Sequence, residues 1–247
     1  MQRAFSFAEV HRLFFVTAWH VVSGRNFHSK KHLHHSGALP SHISLTFWGA
    51  KYQPGSRNEA EFAHFPDLIR IDGLDGTVEN PKNLHPHFGS DVDVIAIDIS
   101  ALADEVKQKV GFEVLGMELA DEKQLRPVSV MDQVFIPGHP VIHTRKPNEM
   151  AIYKAASIAS EPNVFQGVPC VLVDGKTKKG WSGSPVIRKI PVHRPKAEEL
   201  ILVRFETCVL YGIYSGRDEH DHELVSAELG YCWPVRECLI PILDRLS

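Results

Sequence analysis

Cysteine is scarce in this sequence, long apolar runs are missing, and neither sign of charge dominates. Only 4 cysteines occur among 247 residues, Cys170, Cys208, Cys232 and Cys238, all of them in the second half. The opening residues do not read as an export leader, because Glu9, His11 and Arg12 interrupt the apolar stretch too early. Without an oxidising destination the four thiols are expected to be free and buried, not a disulfide frame. No stretch approaches the roughly 18 apolar residues that a membrane-spanning helix requires. These absences point to a soluble, cytoplasmic chain without a membrane partner. The 27 Lys and Arg against 30 Asp and Glu, a formal net charge of −3, give no reason to expect nucleic acid as a partner.

Metal-binding spacing is also lacking. His28, His32, His34 and His35 crowd one polar stretch, but no Cys accompanies them and their spacing matches no regular site. They are expected to form a solvated loop, and the same holds for His220-Asp221-His222. A metal-dependent protein is therefore the weakest of the functional readings, and neither metal nor cofactor is expected.

What the sequence does have is bulk for a core and punctuation for strands. It is 43% hydrophobic, and its 16 Pro and 17 Gly are scattered, as many short strands and turns require. The length fits one large all-β domain or two small barrels. Leu13-Phe14-Phe15-Val16-Thr17 is a fully apolar strand candidate, with His20 where a short helical turn should follow. A long irregular segment with turn signals at Asp72-Gly73 and Asp75-Gly76 runs to residue 89. It contains a further strand candidate, Ile43 to Trp48.

Residues 91–99 alternate, with Asp93, Ile95, Ile97 and Ile99 on one face. An acid on an apolar face is costly unless something pairs with it. Asp91 shares that face and competes with Asp93. Ala101 to Pro127 loses the alternation and reads as a connection between two halves. Strand candidates then follow at 128–136, 152–158, 168–174, 200–205, 208–216 and 225–233. Apolar spacing over Val235 to Leu246 predicts a terminal helix, weakened by Pro241.

Chemistry concentrates at Gly180-Trp181-Ser182-Gly183-Ser184-Pro185-Val186. Small residues surround one hydroxyl there, and the glycines permit a tight turn that can aim backbone N–H groups at a reacting carbonyl. Alone, such a motif is a turn between two strands. Together with Thr17-Ala18-Trp19-His20-Val21-Val22 and Asp91-Val92-Asp93-Val94-Ile95-Ala96-Ile97, it supplies a base, an acid and a nucleophile, in one of the orders that build a triad.

These three stretches resemble the chymotrypsin/trypsin-like serine peptidases, above all the bacterial members, over roughly residues 4 to 235. The resemblance implies an all-β fold of two six-stranded β-barrels with a C-terminal helix. Residues 1–110 would carry the His and Asp, and 111–247 the nucleophile and specificity pocket. The chain begins where the family has already passed a Gly- and Ser-rich strand, so either that strand lies outside the sequence given or the first barrel does without it. His20, Asp93 and Ser182 are the implied catalytic residues, with Asp93 preferred because the family places the acid directly before the apolar run. The backbone N–H groups of Gly180 and Ser182 are the implied oxyanion hole. The pocket would have Lys176 near its base and Tyr214, Ser215 and Gly216 along its wall.

Two departures from the family matter. Trp181 stands where digestive relatives have an Asp that pairs with a newly cut N-terminus, so activation by that cut is not expected, and the indole is expected at the rim of the site. Lys176, Lys178, Lys179 and Arg217 leave two readings open, a preference for acidic substrates or a solvated basic loop. The leading expectation is a serine endopeptidase acting on protein or peptide. The alternative is a protease-fold module that binds extended peptides by strand addition, without useful turnover.

Overall fold

The computed structural model describes residues 12–51, 61–102, 105, 108, 128–140, 151–161, 167–178, 180–195, 202–216 and 228–246. Most of the regular elements are strands. The apolar run after Leu13 forms β1 (Phe14–Thr17), and a five-residue helix, α1 (Trp19–Ser23), follows at once. Gly24 ends that helix in the left-handed region at φ 65, with its N–H on the His20 carbonyl. The long segment between the His and Asp motifs contains a ribbon of β2 (His42–Lys51) and β3 (Glu61–Asp72), then α2 (Leu74–Val78) and a 3-10 turn at Pro81–Asn83. The acidic motif leads into β4 (Ile95–Asp98), which pairs antiparallel with β1, Phe15 opposite Ile97.

The second half supplies β5 (Gln133–Gly138), β6 (Ile152–Ile158), β7 (Val171–Asp174), β8 (Ser184–Pro195), β9 (Leu202–Gly216) and β10 (Leu229–Pro234). These six strands close into one barrel in the order β10-β7-β6-β5-β8-β9. The strand candidates at 200–205 and 208–216 are one continuous strand, held against β8 from Leu202 to Tyr214. Among the described residues the first half forms two separate two-stranded sheets, β1-β4 and β2-β3.

Period-two alternation sorts the barrel residues into two cores. Val171, Val173, Tyr214 and Cys232 point inward and pack with Val134, Ile136 and Val186. Leu172, Ile213, Tyr231 and Trp233 point outward and join a second core with Trp19, Val22, Phe27 and Val92 to Ile97 of the first half. Phe27 meets Tyr231 and Trp233 edge-on, with ring centroids 5.4 and 5.6 Å away. The outer face of the barrel is thus the floor on which the His- and Asp-bearing segments sit. Residues 92 to 97 are all buried, so both faces of that segment are covered, where the alternation alone suggested one.

The terminal segment is helical, but it begins as a π-type turn over Val235–Leu239 before α3 (Ile240–Leu246). Pro241 has no N–H to give, and it falls where the wide turn tightens into the α-helix, so its cost is small there. Cys170, Cys232 and Cys238 are buried free thiols, whereas Cys208 is exposed, contrary to expectation, because it lies on the solvent side of β9. Among the described residues no helix is long and apolar enough to cross a membrane. Most of the 101–127 connection lies outside the described residues.

Candidate functional site

The three chemical motifs fall on three different elements. His20 is in the first turn of α1, directly after β1. Asp93 precedes β4, and the β1-β4 pairing draws it back beside that helix. The contact between them is doubled. His20 Nδ1 lies 2.6 Å from Asp93 Oδ2, and the His20 backbone N–H donates to Asp93 Oδ1 at 2.8 Å. Asp93 has no exposed surface, so its charge needs both partners. A carboxylate can only accept, so Nδ1 carries the hydrogen and Nε2 is left on the opposite edge of the ring. Asp91, the competitor, is at the surface and forms an ion pair with Lys30 at 2.8 Å.

Ser182 lies in the loop from β7 to β8, where the turn geometry is glycine-dependent. Gly180 has φ 97, and a Cβ there would stand 2.3 Å from the His139 carbonyl oxygen. Gly183 has φ 82, and a Cβ there would stand 2.1 Å from Thr17 Oγ1. That second approach is the seam of the site: it presses the Ser182 loop against Thr17 and Ala18, two residues before His20. Gly183 N–H donates to the Tyr214 carbonyl at 2.7 Å, and Ser184 N–H to the Trp181 carbonyl at 3.0 Å. Among the described residues the N–H groups of Gly180 and Ser182 have no hydrogen-bond partner. The Ser182 hydroxyl donates to the Ser215 carbonyl at 3.2 Å, and a Cβ on Gly216 would approach its oxygen to 3.1 Å.

The remaining expected residues distribute unevenly. Trp181 is not at the rim. It is buried against Gly138, with its Nε1–H on the Ile136 carbonyl at 3.2 Å, so the indole ties the loop to β5. Lys176 is exposed and ion-paired with Glu228. Tyr214 is fully buried inside the barrel, its hydroxyl 2.7 Å from Thr177 Oγ1. Ser215 is buried too, and its hydroxyl accepts from Trp233 Nε1 at 3.0 Å. Its backbone and that of Gly216 are the parts that reach Ser182.

Sequence reasoning missed Thr177 and the Arg188–Asp132 ion pair. The pair is 3.1 Å apart, with the Arg188 side chain only 7% exposed. Neither carries a local signal, since the partners are distant in the chain.

His85, near the end of the irregular segment that runs to residue 89, is buried and bridges the halves. Its Nε2 is 3.0 Å from the Glu237 carbonyl, and its Nδ1 accepts the N–H groups of His87 and Phe88 at 3.2 Å each. Burial pushes its pKa down, against the Glu237 hydrogen bond, which raises it, and with His87 and Arg245 adding to the fall. Among the described residues no cluster of His, Cys, Asp and Glu is placed to hold a metal ion. His220 to His222 lie outside them, as do Lys179 and Arg217.

The arrangement joins an oriented imidazole to a buried carboxylate and presses the loop that carries the Ser182 hydroxyl against the residues just before that imidazole. In comparisons with known proteins, no family model and no curated protein matches the chain.

Proposed function

We propose that the chain is a serine endopeptidase in which His20, Asp93 and Ser182 act as a triad, and that the first half is a second, smaller or less regular barrel. The observation that carries the reading is the double contact of buried Asp93 with His20, across from a glycine-framed serine loop pressed on Thr17. A surface His–Asp pair has no need of a carboxylate with both oxygens committed to one residue.

The chemistry follows from the groups present. Ser182 turns its hydroxyl from the Ser215 carbonyl toward His20 Nε2, which takes the proton as Oγ bonds to the scissile carbonyl carbon. Asp93 holds the Nδ1–H tautomer and stabilises the imidazolium. The carbonyl oxygen becomes an oxyanion between the Gly180 and Ser182 amides, and one such donor is typically worth about 3 kcal/mol in the transition state. His20 returns the proton to the leaving amine, and the C–N bond breaks. Water, deprotonated by His20, then cleaves the acyl ester and restores Ser182. The Trp181 anchor supports a loop that is set without an ion pair from a cut N-terminus.

Labelling with a fluorophosphonate probe tests this reading. Wild type should label, and Ser182→Ala and His20→Ala should not. A folded wild type that resists the probe would refute it and favour the peptide-binding module.

A further inference from the structure

The wall of the site beside Ser182 is filled from within. Three backbone segments meet there. Residues 175–177 leave the end of β7, 214–216 end β9, and 228–231 open β10. Strand pairing locks them side by side, with Leu229 opposite Asp174, Tyr231 opposite Gly216 and Ser184 opposite Tyr214. A peptide whose carbonyl carbon meets Ser182 Oγ, with its oxygen at the Gly180 and Ser182 amides, passes along Gly216. The side chain of that residue is then directed between the 175–177 loop and β9.

Tyr214 fills the barrel interior directly behind these segments. It has no exposed surface, and its hydroxyl reaches across to Thr177 Oγ1 at 2.7 Å, itself buried. On the third side it touches Gly230 so closely that a Cβ there would lie 2.2 Å from the phenol oxygen and 2.7 Å from two ring carbons. The glycine is therefore part of the plug, since it makes room for the ring. Outside the plug, Lys176 and Glu228 pair with each other, one from each flanking segment.

We propose that Tyr214, braced by Thr177 and admitted by Gly230, closes the specificity recess, so that cleavage follows small uncharged residues such as Gly, Ala and Ser. The proposal rests on the serine-peptidase reading of the site and gives it a substrate class. It replaces the acidic preference that the lysines of the 176–179 loop suggested, because Lys176 is already ion-paired with Glu228.

A peptide library profiled with the full chain tests it, with fluorophosphonate labelling run in parallel. Wild type should cleave after Gly, Ala or Ser at least about 100-fold better than after Leu, Phe, Glu or Lys, the upper scale of what a filled apolar site discriminates. Tyr214→Val should admit Leu and Phe, whereas Tyr214→Phe keeps the ring and should keep the preference for small residues. Thermal unfolding checks that each variant is folded, and should Tyr214→Val not fold, Tyr214→Leu serves in its place. A wild type that labels but cleaves best after Phe, Lys or Glu would overturn the proposal. So would a folded Tyr214→Val or Tyr214→Leu that labels with an unaltered profile. A folded wild type that does not label would instead remove the peptidase reading, and this proposal with it.

Discussion

Residues 133–234 supply six strands that close into one barrel with an interior packed by their own side chains, whereas the described residues of 14–98 form two separate two-stranded sheets, of which β1-β4 buries its apolar residues on the outside of that barrel. The parts of the site are held accordingly. Ser182 is positioned by backbone: glycine turns, strand pairing and an indole tied to β5. His20 and Asp93 are positioned by each other, through two hydrogen bonds across 73 residues of chain. A closed barrel can hold a loop rigid without help, but an open ribbon needs a specific polar clamp. The halves are therefore expected to fail differently when disturbed.

The sharpest test of the polar clamp is Asp93→Asn. Its amide oxygen can still accept from the His20 backbone, while the side chain loses the charge that sets the tautomer. Turnover should fall about 10⁴-fold with little change in melting temperature. A loss of only a few-fold would mean that the ring is oriented by something else.

On the barrel side the largest effect is expected in stability. Arg188→Ala leaves Asp132 largely buried without its cation, a break that typically costs about 3–5 kcal/mol, read as a lowered denaturant midpoint. Gly183→Ala attacks the seam between the halves, since the added methyl collides with Thr17 Oγ1. It should cost about 100-fold in probe labelling, as misplacements of about 1 Å do, with the barrel still folded by circular dichroism. A milder change, Trp181→Phe, keeps an aromatic ring, though a smaller one, and gives up the bond to the Ile136 carbonyl. About 1 kcal/mol of stability should go with it, measured by denaturant unfolding.

The smallest expected effect concerns acid. His85 joins the first half to the terminal turn as a neutral ring, with its pKa held below the ordinary 6.5. The unfolded chain therefore takes up the proton first as pH falls. Stability should decline from about pH 6.5 downward and be unaffected by this group above that. In His85→Gln the decline below about pH 6.5 should shrink. A slope identical to wild type would remove His85 from the account.

Much of the local structure around the candidate site was legible in the sequence. The Gly-x-Ser-Gly-Ser-Pro turn, the short helix at His20 and the strand after Asp93 are local features, written in glycine placement and in runs of β-branched and aromatic residues. The choice of Asp93 over Asp91 had only the resemblance behind it. The structure separates them by burial, because Asp91 meets Lys30 in solvent while Asp93 meets His20 in the core. The rim position expected for Trp181 could not be read correctly, and the burial of the Tyr214 side chain inside the barrel carried no signal in the sequence. Whether an aromatic side chain points into a barrel or over its edge depends on the partner strand across from it.

The sequence by itself determined which groups can react here and in what local turns they lie, because hydroxyl, imidazole and carboxylate chemistry and the conformational freedom of glycine belong to the residues themselves. Only the tertiary structure decided which of them meet. The closing of six strands into a barrel and the β1-β4 pairing fix distances between positions 73, 37 and 33 residues apart, namely His20 to Asp93, Thr177 to Tyr214 and Ser182 to Ser215. Such separations are set by strand register and by the area buried between the halves, and neither is encoded at any one position of the chain.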